Sequence, residues 1–109
     1  MEYNLILYEE PIKVKLVHTK YYKTGELAVL LLTSLDSEPE EYAMITVCIP
    51  HGTYELQPDM GFVDINNCPW APEFLETNKI ATRIVGCNAT SGFVSYPLYE
   101  FDMSKIEEY

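Results

Sequence analysis

The sequence predicts an α+β fold, an antiparallel sheet of about five to six strands with one short helix packed on it. Short apolar or alternating segments recur between turn residues, which is the pattern of strands. A stretch led by Pro72 and Glu73 carries the start and stop signals of a helix. At 109 residues, 48% hydrophobic and 13% aromatic, the chain can bury one core and is too apolar for a disordered acidic tail. A single domain over residues 1–109 is expected at that length.

Residues 3–8 (YNLILY) predict a first strand, and Pro11 a break after it. Residues 12–16 alternate apolar and basic, which places Lys13 and Lys15 together on the solvent face of a half-buried strand. Residues 22–26 predict a turn in which Gly25 supplies positive φ. The continuous apolar run of residues 27–33 predicts a central strand covered on both faces. Residues 34–41 (SLDSEPEE) read as a polar loop and residues 42–49 as the returning strand of an antiparallel hairpin, stopped by Pro50.

An irregular stretch between Gly52 and Pro58 leads to a short strand at residues 61–65. Pro72 then suits the first turn of a two-turn helix, where its missing N–H is no loss, and Glu73 favours the positive end of the dipole. Phe74 and Leu75 give that helix an apolar side and Asn78 a stop. Residues 88–92 read as a turn cluster. Residues 93–96 and 98–101 read as strand interrupted by Pro97, an edge strand or a bulge. Residues 103–109 predict a helical tail.

Charge is distributed one-sidedly. Asp36, Glu38, Glu40, Glu41, Glu55, Asp59, Asp64, Glu73 and Glu76 fall between Asp36 and Asn78 with no lysine or arginine among them. The formal charge of −10 is therefore almost wholly a property of that segment. Such a chain is repelled by nucleic acid and by anionic membranes, so direct DNA binding and membrane binding are not expected; basic protein surfaces suit it. No apolar run approaches the roughly 18 residues of a membrane span. The amino terminus shows no basic n-region, which gives no expectation of a secretory signal. Three cysteines without close pairing fit reduced thiols in a cytoplasm.

Candidate chemistry is sparse. Cys48 and His51, with Cys68 and Cys87, would supply four zinc ligands, but structural zinc is usually signalled by two close pairs and one loose pair is present. Cys68 with His18 or His51 would be a nucleophile and base, without a catalytic signature around Cys68. Asp64, Glu73 and Glu76 would be paired carboxylates, yet the alternate ligand positions of a cation loop are missing, and Asp64 bonding its own turn is the simpler expectation. The glycines are isolated and form no phosphate loop. No catalytic residue, metal or cofactor is expected, and the chain is read as a non-enzyme.

Trp70, between Pro69 and Pro72, is either a core plug or an interface anchor. The acidic residues Glu38, Glu40, Glu41, Glu55, Asp59, Asp64, Glu73 and Glu76 are the candidate partner-binding face. DNA carries one charge per about 1.7 Å of axis, and a face so rich in carboxylates approaches that spacing.

Residues 62–74 (FVDINNCPWAPEF), residues 91–101 (SGFVSYPLYEF) and the opening residues 8–16 (YEEPIKVKL) carry a resemblance. They resemble an uncharacterised family of small acidic proteins carried on conjugative elements and phages of gut bacteria, some of whose relatives look like anti-CRISPR inhibitors of Cas9. The resemblance spans nearly the whole chain and brings no catalytic residue. It implies a cytoplasmic, anti-defence protein in a bacterial host, acting as a DNA mimic or otherwise on Cas9 or its guide complex. Alternatives are a structural or regulatory accessory protein of a conjugative element, or a small metal-binding protein.

Overall fold

Val29 and Ile45 lie at the junction of two sheets. The structure, a computed structural model, describes residues 3–7, 10–22, 24–33, 40–48 and 56–109. In chain order the elements are β1 (Tyr3–Leu7), β2 (Glu10–Lys20), β3 (Leu27–Thr33), β4 (Glu40–Met44), β5 (Thr46–Val47), β6 (Met60–Val63), α1 (Ala71–Thr77), β7 (Ala81–Ser91), β8 (Val94–Phe101) and β9 (Glu107–Glu108). A single 3-10 turn, Met103–Lys105, precedes β9. One sheet runs β1-β2-β3-β4, with β9 also on β2; the other runs β5-β6-β8-β7. Among the described residues every pairing is antiparallel except β2 with β9. The class is α+β, as the sequence predicts, with the strands divided between two sheets.

The strand expected over residues 42–49 is split at Ile45, which belongs to neither ladder and bonds to both. Its N–H donates to Val29 O at 2.9 Å, and its carbonyl accepts from Asp64 N–H at 2.8 Å. An extra residue on β4 where Leu31 and Leu32 change register bends the chain just before this point. Thr46 then turns its hydroxyl back on β3, accepting Val29 N–H at 3.0 Å and sharing a second hydrogen bond of 3.0 Å with the Tyr21 hydroxyl. A buried N–H that loses its ladder partner must find another, and a β-branched hydroxyl supplies one here.

β3 is buried along almost its whole length on both faces. Leu5, Val14, Leu16, Val29, Leu31, Ile45 and Val63 join Phe74 and Leu75 of α1, with Tyr99 and Phe101 of β8, in the main core. Fully burying each such side chain contributes about 1.5–3 kcal/mol. Val17, Leu30 and Leu32 make a separate cluster on the opposite face of β2 and β3, and Phe62, Ala89, Tyr96 and Leu98 a third in the second sheet.

Four expectations are corrected. Pro11 does not break the strand: it pairs with Ile6 inside β2, ahead of Val14 where the β3 ladder begins, so one side of the strand needs no donor at Pro11. Glu40 and Glu41 lie in β4 and not in a loop. Asn88 to Ser91 continue β7, and the turn shrinks to Gly92 and Phe93, with Gly92 at φ 63 as the first position of a primed two-residue hairpin turn requires. Residues 103–109 form a 3-10 turn and β9 rather than a helix. Of the two expectations for Pro97, the edge strand does not hold, since β8 lies between β6 and β7, and the bulge does: Pro97 adjoins the irregularity in which residues 84–87 of β7 face Leu98, and the β6 ladder stops at Leu98, so its missing N–H leaves no gap there.

Helix α1 is the helix the sequence predicts, with Pro near its start, Glu73 in its first turn and Asn78 as its C-cap. It ends in a Schellman motif: Ile80 N–H donates to Leu75 O at 2.8 Å and Lys79 N–H to Glu76 O at 3.1 Å. Lys79 takes the left-handed position at φ 57, and Leu75 and Ile80, both fully buried, close the apolar contact of the motif.

Candidate functional site

Among the described residues, the acids of the candidate face sit on β4, on α1 and in the segments on either side of β6. Glu38 and Glu55 lie outside the described residues, as do Asp36 and His51, and Glu40 is placed only as the first residue of β4. Glu41 on β4 and Glu73 and Glu76 on α1 are exposed, while Asp59, before β6, is half-buried. Asp64 is only 8% exposed. Its carboxylate accepts Asn67 N–H at 3.2 Å and the Asn67 side-chain amide at 2.8 Å, and its carbonyl accepts Cys68 N–H at 2.8 Å. Asp64 therefore organises the turn that delivers the chain into α1, the role an Asx residue commonly takes. Glu76 is also engaged, as the Tyr99 hydroxyl donates to its Oε2 at 3.1 Å.

Asp59 shares its surroundings with acids that counting along the chain does not group with it. A groove of about 800 Å³ runs between the β2–β3 turn and residues 56–60 and is lined by His18, Lys20, Glu26, Asp59, Glu100 and Met103, among others. A second groove, about 540 Å³, adjoins it and shares Asp59, Glu100 and Met103, adding Asp102 and Lys79. The Ser104 hydroxyl and amide both donate to Asp102, and they hold its carboxyl below the usual carboxylate value. Glu26 is far in sequence from the neighbouring Glu100 and Asp102, and both places are far from Asp59; only the strand order brings them toward it. The two grooves also contain Lys20 and Lys79, so the local field is acidic without being purely so.

Trp70 is half-buried. It packs against the main core and meets Phe74 edge-on at 6.1 Å, and it lines a groove of about 310 Å³ together with Asn4, Leu5 and Ile6 of β1 and Glu73, Phe74, Thr77 and Asn78. It thus has a core side and an open side.

The three cysteines occupy three different surroundings. Cys68 is buried in the main core and its thiol donates to Met44 O at 3.5 Å; burial, then the charge of Asp64, pushes its pKa up to about 11. A thiol held protonated at neutral pH is a poor nucleophile and a poor metal ligand. Cys48 is exposed, near Thr24 and Glu26, and Cys87 packs against the second-sheet cluster. Among the described residues no three His, Cys, Asp or Glu side chains gather as metal ligands would. Nor is any helix among them long and apolar enough to cross a membrane.

No curated protein and no solved structure matches the chain. The family model of DUF4313, a domain of unknown function, matches residues 15–109, and with that span the chain belongs to the DUF4313 family.

Proposed function

We propose that this protein is a non-enzymatic anti-defence factor of a mobile genetic element, cytoplasmic in its bacterial host, which binds a basic surface of a Cas9-type effector through its acidic residues. The observation that carries the reading is the stretch from Asp36 to Asn78, with nine acids and no lysine or arginine. Glu41, Glu73 and Glu76 are the exposed acids of that stretch whose side chains are described, with Asp59 beside the large groove. Cas9 holds its guide heteroduplex in a positively charged channel and reads its PAM with arginines, and both are surfaces that carboxylates complement. Asp64 contributes to such a face through the turn it organises.

The test is a Cas9 cleavage assay with guide RNA, alongside a pull-down, over a salt series. Binding and inhibition are expected at low salt and should weaken as the Debye length falls to roughly 10 Å at 0.1 M. A Glu41→Lys, Glu73→Lys, Glu76→Lys triple variant should bind at least tenfold more weakly. Absence of both complex and inhibition at low salt would falsify the proposal.

A further inference from the structure

We propose that the outer edge of β1 at Asn4, Leu5 and Ile6, on which no other strand pairs among the described residues, is, with the facing α1, a docking site for an extended peptide segment carrying alternating basic and apolar residues, which adds to the first sheet as an extra strand. This proposal does not depend on the Cas9 reading.

Two observations define the site. Asn4, Leu5 and Ile6 all line the groove of about 310 Å³. Successive side chains of a strand point to opposite faces, so three consecutive residues share one groove when it runs along the strand's edge. The opposite wall is Trp70, Glu73, Phe74 and Thr77, spaced as one stripe of a helix. An open strand edge opposite a helix is a geometry in which main-chain bonds give affinity and a side pocket gives selectivity.

The edges of the two sheets are not treated alike. β7 carries Arg83 and a bulge in which residues 84–87 face only Leu98, with Gly86 at φ 86. β4 carries Glu40 and Glu41, and β9 is the pair Glu107–Glu108. Charge and bulges are the usual means by which a protein discourages strand addition at an edge. β1, Tyr3–Leu7, has neither: its sequence is YNLIL, and Ile6 is 68% exposed. Among the described residues Glu73 is the sole charged one lining the groove, on a chain of net charge −10. That disfavours a second copy of the chain and favours a basic segment, its apolar side chains over Trp70 and Phe74 and a basic one reaching Glu73.

The probe is the capped peptide Lys-Val-Lys-Val-Lys-Val-Lys, titrated into isotope-labelled protein and followed by NMR. Amide shifts should concentrate at Asn4, Leu5, Ile6, Glu73 and Thr77. Ile6→Lys, which places a lysine on the edge at an already exposed position, should weaken binding at least tenfold. Thr90→Lys, the same charge change on β7, should change it less than twofold. N-methylation of the valines, which keeps every side chain but removes donors, should abolish binding. The proposal is overturned by no binding, by shifts spread over the acidic surface without β1, by equal losses in the two lysine variants, by equal binding of a Glu-Val peptide, or by a peptide-independent dimer through β1 seen in sedimentation.

Discussion

The hydroxyl of Thr46 accepts the backbone N–H of Val29 at 3.0 Å, so a side chain stands in for a ladder bond at the point where the chain passes from one sheet to the other. Thr46 is 2% exposed, and the same hydroxyl bonds Tyr21. Thr46→Val keeps the shape and orphans a buried donor. We expect it to lower stability by about 1–3 kcal/mol, read from the urea midpoint. Thr46→Ser, which keeps the hydroxyl, should lose about 1 kcal/mol, the worth of one buried methyl.

Lys79 occupies the left-handed position that closes α1, at φ 57. A side chain there is strained and glycine is not, while glycine frees the unfolded chain. The strain is the larger effect, and Lys79→Gly should raise stability by about 0.5–1 kcal/mol. An unchanged or lower thermal midpoint would contradict this.

Alkali should unfold the protein through groups held protonated. Burial, then the neighbouring Glu76 charge, pushes the Tyr99 hydroxyl from 10.0 to about 12. The folded state thus holds this proton more tightly than the unfolded chain. The stabilisation is complete below pH 10 and is lost as pH rises toward 12. Stability measured across that window should fall, and Tyr99→Phe should flatten the slope.

The thiols should separate by reactivity. Cys48 is exposed and Cys68 is buried with its pKa raised to about 11. At neutral pH a thiol reagent should modify Cys48 in the native protein and reach Cys68 only on unfolding. Rapid native labelling of Cys68, read by peptide mass, would contradict the buried placement.

At the β7–β8 tip, Gly92 sits at φ 63 and Phe93 is fully exposed. Gly92→Ala should cost at least about 1 kcal/mol, because alanine resists that backbone. Phe93→Ser should change stability by less than about 0.5 kcal/mol. A large loss with Phe93→Ser would mean that the tip packs on something.

Segments that bury a continuous or periodic face were legible in the sequence. Residues 27–33 bury nearly every side chain, so an apolar run was enough, and α1 announced itself through Pro72, Glu73 and Asn78. β7 exposes most of its residues, so no apolar period records it, and its residues 88–91 read as a turn. β9 forms only by pairing with Val17 and His18, far away in sequence, which local pattern cannot express. The candidate site divides the same way. Counting charge found the acidic stretch, but that Asp64 is spent on a turn, and that Glu26, Glu100 and Asp102 converge near Asp59, depends on strand order.

Ile45, donating to one sheet and accepting from the other, has a consequence for how the molecule opens. Neither ladder can fray at that point without releasing a bond that belongs to its neighbour. The two sheets should therefore melt together rather than in sequence. In native-state hydrogen exchange, the amides of Ile45 and Val29 should be among the slowest, released only with the whole molecule.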